Sequence, residues 1–322
     1  MKKILSVLYA FALVLPSAVA FAEPAKIGLL GPPPPPVLAK IGDAIAAELT
    51  QRGFVRDRDF TFEIRSADGK VERLPALAKE LVDAHVGVIV ARSYPATRAA
   101  KDATSTIPIV ISYAGEPVET GLAASLSHPG GNVTGLSDMS SELSVKRLEL
   151  LRLAVPGIKR VALLWNADDL GMTGRYRAAS AAAATMGIAV QPLGVREPDD
   201  FNAAFAAMDK EMPDGILMVT DVLTLLNRKR VFEFAAAHHL PAIYEFDNLA
   251  REGGLMSYGP DEKEVLARVS DLVARLLKGQ KPGDLPFEQP TLFRFVINHK
   301  TADTLGLVIP DSLLERADEV IE

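Results

Sequence analysis

Short apolar runs alternate with amphipathic stretches along most of the chain, the pattern of a parallel sheet flanked by helices. Residues 25–30, 60–65, 86–91 (VGVIVA) and 108–112 (PIVIS) are mostly apolar or β-branched, end at turn residues, and read as strands. Between them, residues 37–52 place Leu38, Ile41, Ile45 and Leu49 on one helical face, and 71–84 and 95–103 read as further helices. By Gly135 about four β-α units have passed, which makes one lobe.

The pattern then restarts. Helical spacing over 142–154 is followed by a strand at 161–165 (VALLW), an alanine-rich helix at 175–186 and a strand at 188–193. Then come a helix at 200–210, a buried strand at 215–219 (GILMV), a helix at 222–238 and a short strand at 241–243. Past these two halves lie one more strand (254–258), an amphipathic helix (265–278), a Gly/Pro/Lys linker (279–286), a strand at 293–297 and a terminal ADEVIE. An extra strand–helix unit predicts that the chain returns to the first lobe and crosses again, so that two α/β lobes share a hinge and a cleft.

The N-terminal end is a separate unit. Lys2 and Lys3 precede an apolar stretch of about a dozen residues, and Ala20-Phe21-Ala22 is a small-x-small cleavage pattern. The stretch is too short for a stable membrane anchor, and the expectation is a leader of residues 1–22 cleaved after Ala22, with a buried N-terminal helix as the alternative. The mature chain is then expected to be periplasmic, monomeric and not embedded in a membrane. With no cysteine it has no disulfide framework, thiolate metal site or lipid tether. Its 33 basic residues against 41 acidic ones, with no basic run, argue against a nucleic-acid partner.

Several segments carry a family resemblance. KIGLLG at 26–31, ATSTIPIVISYAGEPVETGLAASLSHPGGNVTGLSDMSSELSVKRLELL at 103–151 and VALLWN at 161–166 are three of them. LPAIYEFDNLAREGGLMSYGPD at 240–261 and LPFEQPTLFRFVINHKTADTLGLVIPDSLLERADEVI at 285–321 continue it. Across almost the whole mature chain the sequence resembles the ABC-transporter substrate-binding proteins, whose best-characterised branch binds tryptophan and other aromatic amino acids. The resemblance implies a type I periplasmic-binding fold of two Rossmann-like lobes with three crossings, near 136–140, 244–248 and 287–291. One lobe would hold residues 23–137 and 248–288, the other 138–247 and 289–322. It also implies a small-molecule ligand, delivery to an ABC permease and its ATPase, and no cofactor. A ligand-sensing partner and an acid–base enzyme are the rival readings, and no motif supports the second. The Gly31–Pro36 loop, far richer in proline than the family's usual one, is expected to be stiff and to reshape one cleft wall through Gly31 and Pro33.

Ligands of open α/β sheets collect beyond the carboxyl ends of the strands. That rule selects Ser93, Tyr94 and Thr97, where a helix start either holds an anion or is simply capped by Ser93. The resemblance favours a ligand carboxylate there. Tyr113 and Glu116 follow the next strand, and Asp138 lies in the first crossing. In the second lobe Asn166, Asp168 and Asp221 sit at strand ends, Asp221 either meeting a ligand ammonium or capping the next helix. Tyr244 and Glu245 complete the ring, the aromatic one suited to an amine. Gly130-Gly131-Asn132 lacks the lysine of a phosphate loop, and the adjacent His238 and His239 cannot form an i, i+4 metal pair.

Overall fold

The computed structural model describes residues 23–113 and 115–322, so the expected leader lies outside the described residues. The first sheet is built from β1 (Ala25–Gly31), β2 (Phe60–Ser66), β3 (Val88–Arg92), β4 (Ile109–Ser112) and β5 (Val133–Gly135), in the order β2-β1-β3-β4-β5 and all parallel. Its connections are α1 (Pro35–Gln51), α2 (Leu74–Asp83) and α3 (Tyr94–Ala103). Leu38, Ile45 and Leu49 of α1 pack on one face, and Leu77, Ala78 and Leu81 of α2 with Ala96 and Ala100 of α3 pack on the other. Both faces being covered explains why the strands read as continuous apolar runs.

The chain enters the second lobe through α4 (Ser140–Ala154), β6 (Arg160–Asn166), α5 (Leu170–Thr185), β7 (Ala189–Val195), α6 (Asp200–Lys210) and β8 (Gly215–Met218). It continues through α7 (Val222–Leu226), α8 (Arg228–Ala237), β9 (Ala242–Tyr244), α9 (Asp247–Arg251) and β10 (Met256–Pro260). After α10 (Glu262–Leu277) come β11 (Phe293–Asn298), α11 (His299–Leu305), α12 (Asp311–Leu314) and β12 (Glu319–Ile321). The second sheet has the order β12-β11-β10-β9-β8-β6-β7, with only the β10–β11 pair antiparallel.

Two expectations are corrected here. The second crossing is not at residues 244–248, because β10 pairs with β9 and β11 in the second sheet. The chain leaves that lobe only after Pro260, and α10 returns, burying Val265, Val269, Leu272 and Val273 in the first core, followed by Leu285 and Phe287. The proline loop is also shorter than expected. Pro35 and Pro36 already form the first turn of α1, where a missing N–H costs nothing.

The crossings are bonded side by side. The Ser137 N–H donates to the Glu288 carbonyl at 2.9 Å, and the Glu288 N–H to the Gly135 carbonyl at 2.9 Å. The Asp261 N–H donates to the Leu292 carbonyl at 2.9 Å. Gly135, at φ +143°, is required where the first crossing leaves β5, since a Cβ there would fall 2.4 Å from the Ile111 carbonyl oxygen. On α10, the Glu264 carboxylate accepts from the Thr291 hydroxyl at 2.6 Å and the Leu292 N–H at 2.7 Å, pinning the third crossing. Burial works against its charge, but bonds from Thr291, Leu292 and Arg268 outweigh burial and push the carboxyl down to about 2.

A depressed folded-state pKa stabilises the fold above the ordinary value of 4.5, and that stability is lost as pH falls toward 2. Glu264→Gln is therefore expected to melt below the parent at pH 7, with the gap closing on acidification from about 4.5 to about 2. A gap independent of pH, read by thermal melts across that range, contradicts the assignment.

Candidate functional site

Strand order reverses between β1 and β3 in the first sheet and between β6 and β8 in the second. Helices leave such neighbours toward opposite faces, and a crevice opens at their carboxyl ends. The two crevices bring together the loop after Gly31, Arg92 and Ser93, Asn166 to Asp169, and Thr220 with Asp221. Tyr113 after β4 and Phe246 after β9 meet edge to face across the lobes, ring centroids 5.4 Å apart. The rims also touch, since a Cβ on Gly69 would come within 2.8 Å of Leu226 Cδ1. The cleft is held in a closed arrangement.

Its floor is ionic. Arg175 of α5 donates to Glu245 at 2.7 Å and to Asp138 of the first crossing at 2.9 Å. Arg147 of α4 faces Glu245 at 3.7 Å and donates to the Tyr258 carbonyl at 2.6 Å. All four side chains are at most 2% exposed. Burial alone lowers both arginine pKa values. Two carboxylates hold Arg175 above its ordinary value, while Arg147, with its single longer contact, falls below it. Two cations and two anions cancel in net charge, although Asp138 Oδ1, Arg147 Nη2 and Arg175 Nε have no hydrogen-bond partner among the described residues.

The first-lobe wall is the start of α3. Ser93 has φ 94° and caps the helix, its Oγ accepting from the Ala96 N–H at 3.5 Å. The Ser93 N–H donates to the Ser112 carbonyl at 3.1 Å, which draws this turn against the end of β4. Thr97 departs from its expected role: it is fully buried, and its hydroxyl donates to the Ser93 carbonyl at 2.8 Å, closing the helical turn. Tyr113 is 7% exposed, its hydroxyl has no partner among the described residues, and burial raises its pKa. Arg92 lies over its ring at 4.6 Å. Glu116 is half-buried, accepts from the Ser141 N–H at 3.3 Å, and is raised by burial. Gly31 and Pro33 are tied to the neighbouring turn, Ala67 donating to the Gly31 carbonyl at 2.9 Å and the Ser66 hydroxyl to the Pro33 carbonyl at 2.6 Å.

The second-lobe wall is acidic. Asn166 donates to Asp221 at 2.6 Å, joining the ends of β6 and β8. Asp221 also caps α7 through the Thr224 N–H at 2.9 Å, so both roles foreseen for it are compatible. Asp169 caps α5 through Gly171 at 2.8 Å and Met172 at 3.2 Å. It is 5% exposed, and burial first, then the nearby Asp221, push its carboxyl up to about 6. Among the described residues neither Asp169 nor Asp221 has an ion-pair partner within 4.0 Å.

Two further expectations are corrected. Asp168 is on the surface, paired with Arg196 at 3.1 Å; its neighbour Asp169 takes the buried position because α5 begins at Leu170, five residues earlier than its apolar spacing suggests. Tyr244 is a core residue, 1% exposed and edge-on to Phe232 at 5.2 Å. Strand alternation turns it away from the cleft and turns Glu245 toward it. Sequence reasoning missed Arg147, Arg175, Asp169 and Phe246. A signal existed for the arginines: Arg175 shares the buried stripe of Met172, Ala179 and Ala183, and Arg147 that of Leu143, Leu148 and Leu151.

Comparisons with known proteins agree with this architecture. The sequence model of the family described as ABC transporter substrate binding protein matches residues 28–321. A tyrosine-binding protein of Clostridioides difficile (strain R20291) is 26% identical over 273 residues, 84% of this chain and 78% of that protein. An ABC domain from Streptococcus pneumonia, solved in complex with L-Trp, has a TM-score of 0.86 at 25% identity, covering 93% of this chain and all of that one. A conserved domain protein from Vibrio cholerae has a TM-score of 0.87 at 26% identity, covering 92% and 100%. The fold is the type I periplasmic-binding fold.

A raised folded-state pKa makes the ionised Asp169 a burden above about 6 that disappears below its ordinary 3.8. Asp169→Asn keeps the cap and removes the charge. The variant is expected to be more stable by on the order of 1–3 kcal/mol at pH 7.5, with no gain at pH 4. Denaturant melts at the two pH values check this, and a loss of stability at pH 7.5 contradicts it.

Proposed function

The chain belongs to the ABC transporter substrate-binding protein family, and on that footing we propose that it captures a zwitterionic α-amino acid in the cleft and hands it to an ABC permease and its ATPase. The carrying observation is the polarity of the cleft. The floor cancels its own charge, which leaves a helix start and Arg92 on the first-lobe wall and Asp169 with Asp221 on the second. A carboxylate suits the first wall, where the α3 dipole favours an anion and the Tyr94 N–H stays unbonded among the described residues, the Ala96 and Thr97 N–H groups being taken by Ser93. An ammonium suits the second, where it relieves the repulsion between two carboxylates and forms charge-assisted bonds.

The side chain of the ligand is expected to be aromatic, or branched in second place. Tyr113 and Phe246 offer ring surfaces beside the polar groups, and the relatives described as tyrosine-binding and solved with L-Trp support the same class. The chain acts as a monomeric carrier in the periplasm and does not transform its ligand. Closure traps the ligand by bringing the two walls onto its opposite charges.

Calorimetry with L-tryptophan, L-tyrosine and L-leucine is expected to show binding by at least one of them. Saturation at 100 times its Kd is expected to add about 2.7 kcal/mol to stability. Asp221→Ala is expected to weaken that amino acid by roughly 10- to 100-fold, through loss of a charge-assisted contact. Silence with every common α-amino acid removes the reading; an unchanged Kd in the variant removes the ammonium contact.

A further inference from the structure

The geometry points to Arg92 as the residue that makes this cleft discriminate for a free carboxylate on the ligand, an assignment that rests on the amino-acid reading above. Arg92 is the last residue of β3, directly before the capped start of α3, so the sheet delivers it to the cleft edge of the first lobe. Its backbone neighbour across the crevice is β1: a Cβ on Gly31 would sit 3.4 Å from Arg92 Cβ.

Two contacts and one unpartnered nitrogen define the guanidinium. Its carbon stands over the Tyr113 ring, 4.6 Å from the centroid, a cation–π contact that helps hold the group in place. Nη2 donates to Glu262 at the start of α10, at 3.3 Å. Nη1 is buried and has no hydrogen-bond partner among the described residues. A buried donor of this kind costs free energy until an acceptor reaches it. Glu262 is 53% exposed, against 17% for Arg92, so the one partner is a solvated, long ion pair that leaves much of the positive charge to the cleft.

The surroundings tell which ligand group meets it. Tyr113, under the guanidinium, touches Phe246 of the opposite lobe, which places Arg92 on the wall facing the second lobe. The adjoining helix start favours an anion as well. The acidic groups on the other side, Asp169 and Asp221, repel one. A carboxylate against Arg92 and the α3 start is thus held by the Nη1 arm on one side and the helix start on the other, a directional contact that a lysine's point charge would lack. The amine that remains after loss of the carboxylate is a cation at neutral pH and gains nothing from the same contact.

The test compares L-tryptophan with tryptamine, and L-tyrosine with tyramine, by calorimetry on the full mature chain. The parent is expected to prefer the amino acid over its amine by roughly 100-fold or more, and Arg92→Gln to reduce that preference at least tenfold by weakening the amino acid, with no weakening of the cationic amine. Glu262→Gln frees the second arm of the guanidinium and is expected to tighten the amino acid several-fold; a purely structural Arg92–Glu262 pair would weaken it instead. An equal loss for acid and amine in Arg92→Gln, or weaker binding in Glu262→Gln, overturns the assignment while leaving the amino-acid reading in place. Failure of the parent to bind either amino acid overturns both.

Discussion

Four charges buried where the lobes meet govern the rest of this molecule. Arg147, Glu245, Arg175 and Asp138 are taken out of water together, and such groups survive burial only as a compensated set. Removing one partner typically costs about 3–5 kcal/mol, because the other is left charged and alone. The set decides function by what it withholds. Asp138 and Glu245 look like ligand acids in the sequence, yet their charge is already answered by arginines. In the proposed function, recognition falls to the walls: Asp169, raised by burial and by Asp221, on one side, and on the other a helix start and Arg92, whose Nη1 has no partner among the described residues.

The same floor ties recognition to the hinge. Asp138 belongs to the first crossing, and Arg147 holds the carbonyl of Tyr258, two residues before the end of β10, from which the second crossing leaves. The third crossing is bonded to both others and clamped by Glu264. A movement of the lobes therefore shifts one continuous hydrogen-bonded assembly. In the proposed function, ligand groups bridging Arg92 and Asp221 would act on its two ends and so give differential contacts to the closed state, the physical requirement for a ligand to drive closure.

Much of the fold was legible because parallel strands buried on both faces announce themselves as apolar runs. Residues 25–30, 108–112 and 215–219 needed no tertiary information. What failed were decisions made by tertiary pairing. The strand now seen as Met256–Pro260 has an unremarkable sequence, and only its pairing with β9 and β11 assigns it to the second lobe. The strand ends were legible as a class, but single-residue phase was not. Of Tyr244 and Glu245, both expected in the cleft, the pleat turns only Glu245 toward it, and Asp168 and Asp169 exchange places across a helix cap. The buried arginines left a mark, a charge on an otherwise apolar helical stripe, but their partners lie 37 and 70 residues from Arg175.

The central claim is the orientation of the ligand between oppositely charged walls. A crystal structure of the protein with the amino acid it binds tests this most directly. The account predicts the ammonium within hydrogen-bond distance of Asp221 or Asp169 and the carboxylate at the start of α3 beside Arg92, with the Arg175 ion pairs intact. A ligand lying the other way round, or one whose ammonium replaces Arg175 on Asp138, would contradict it.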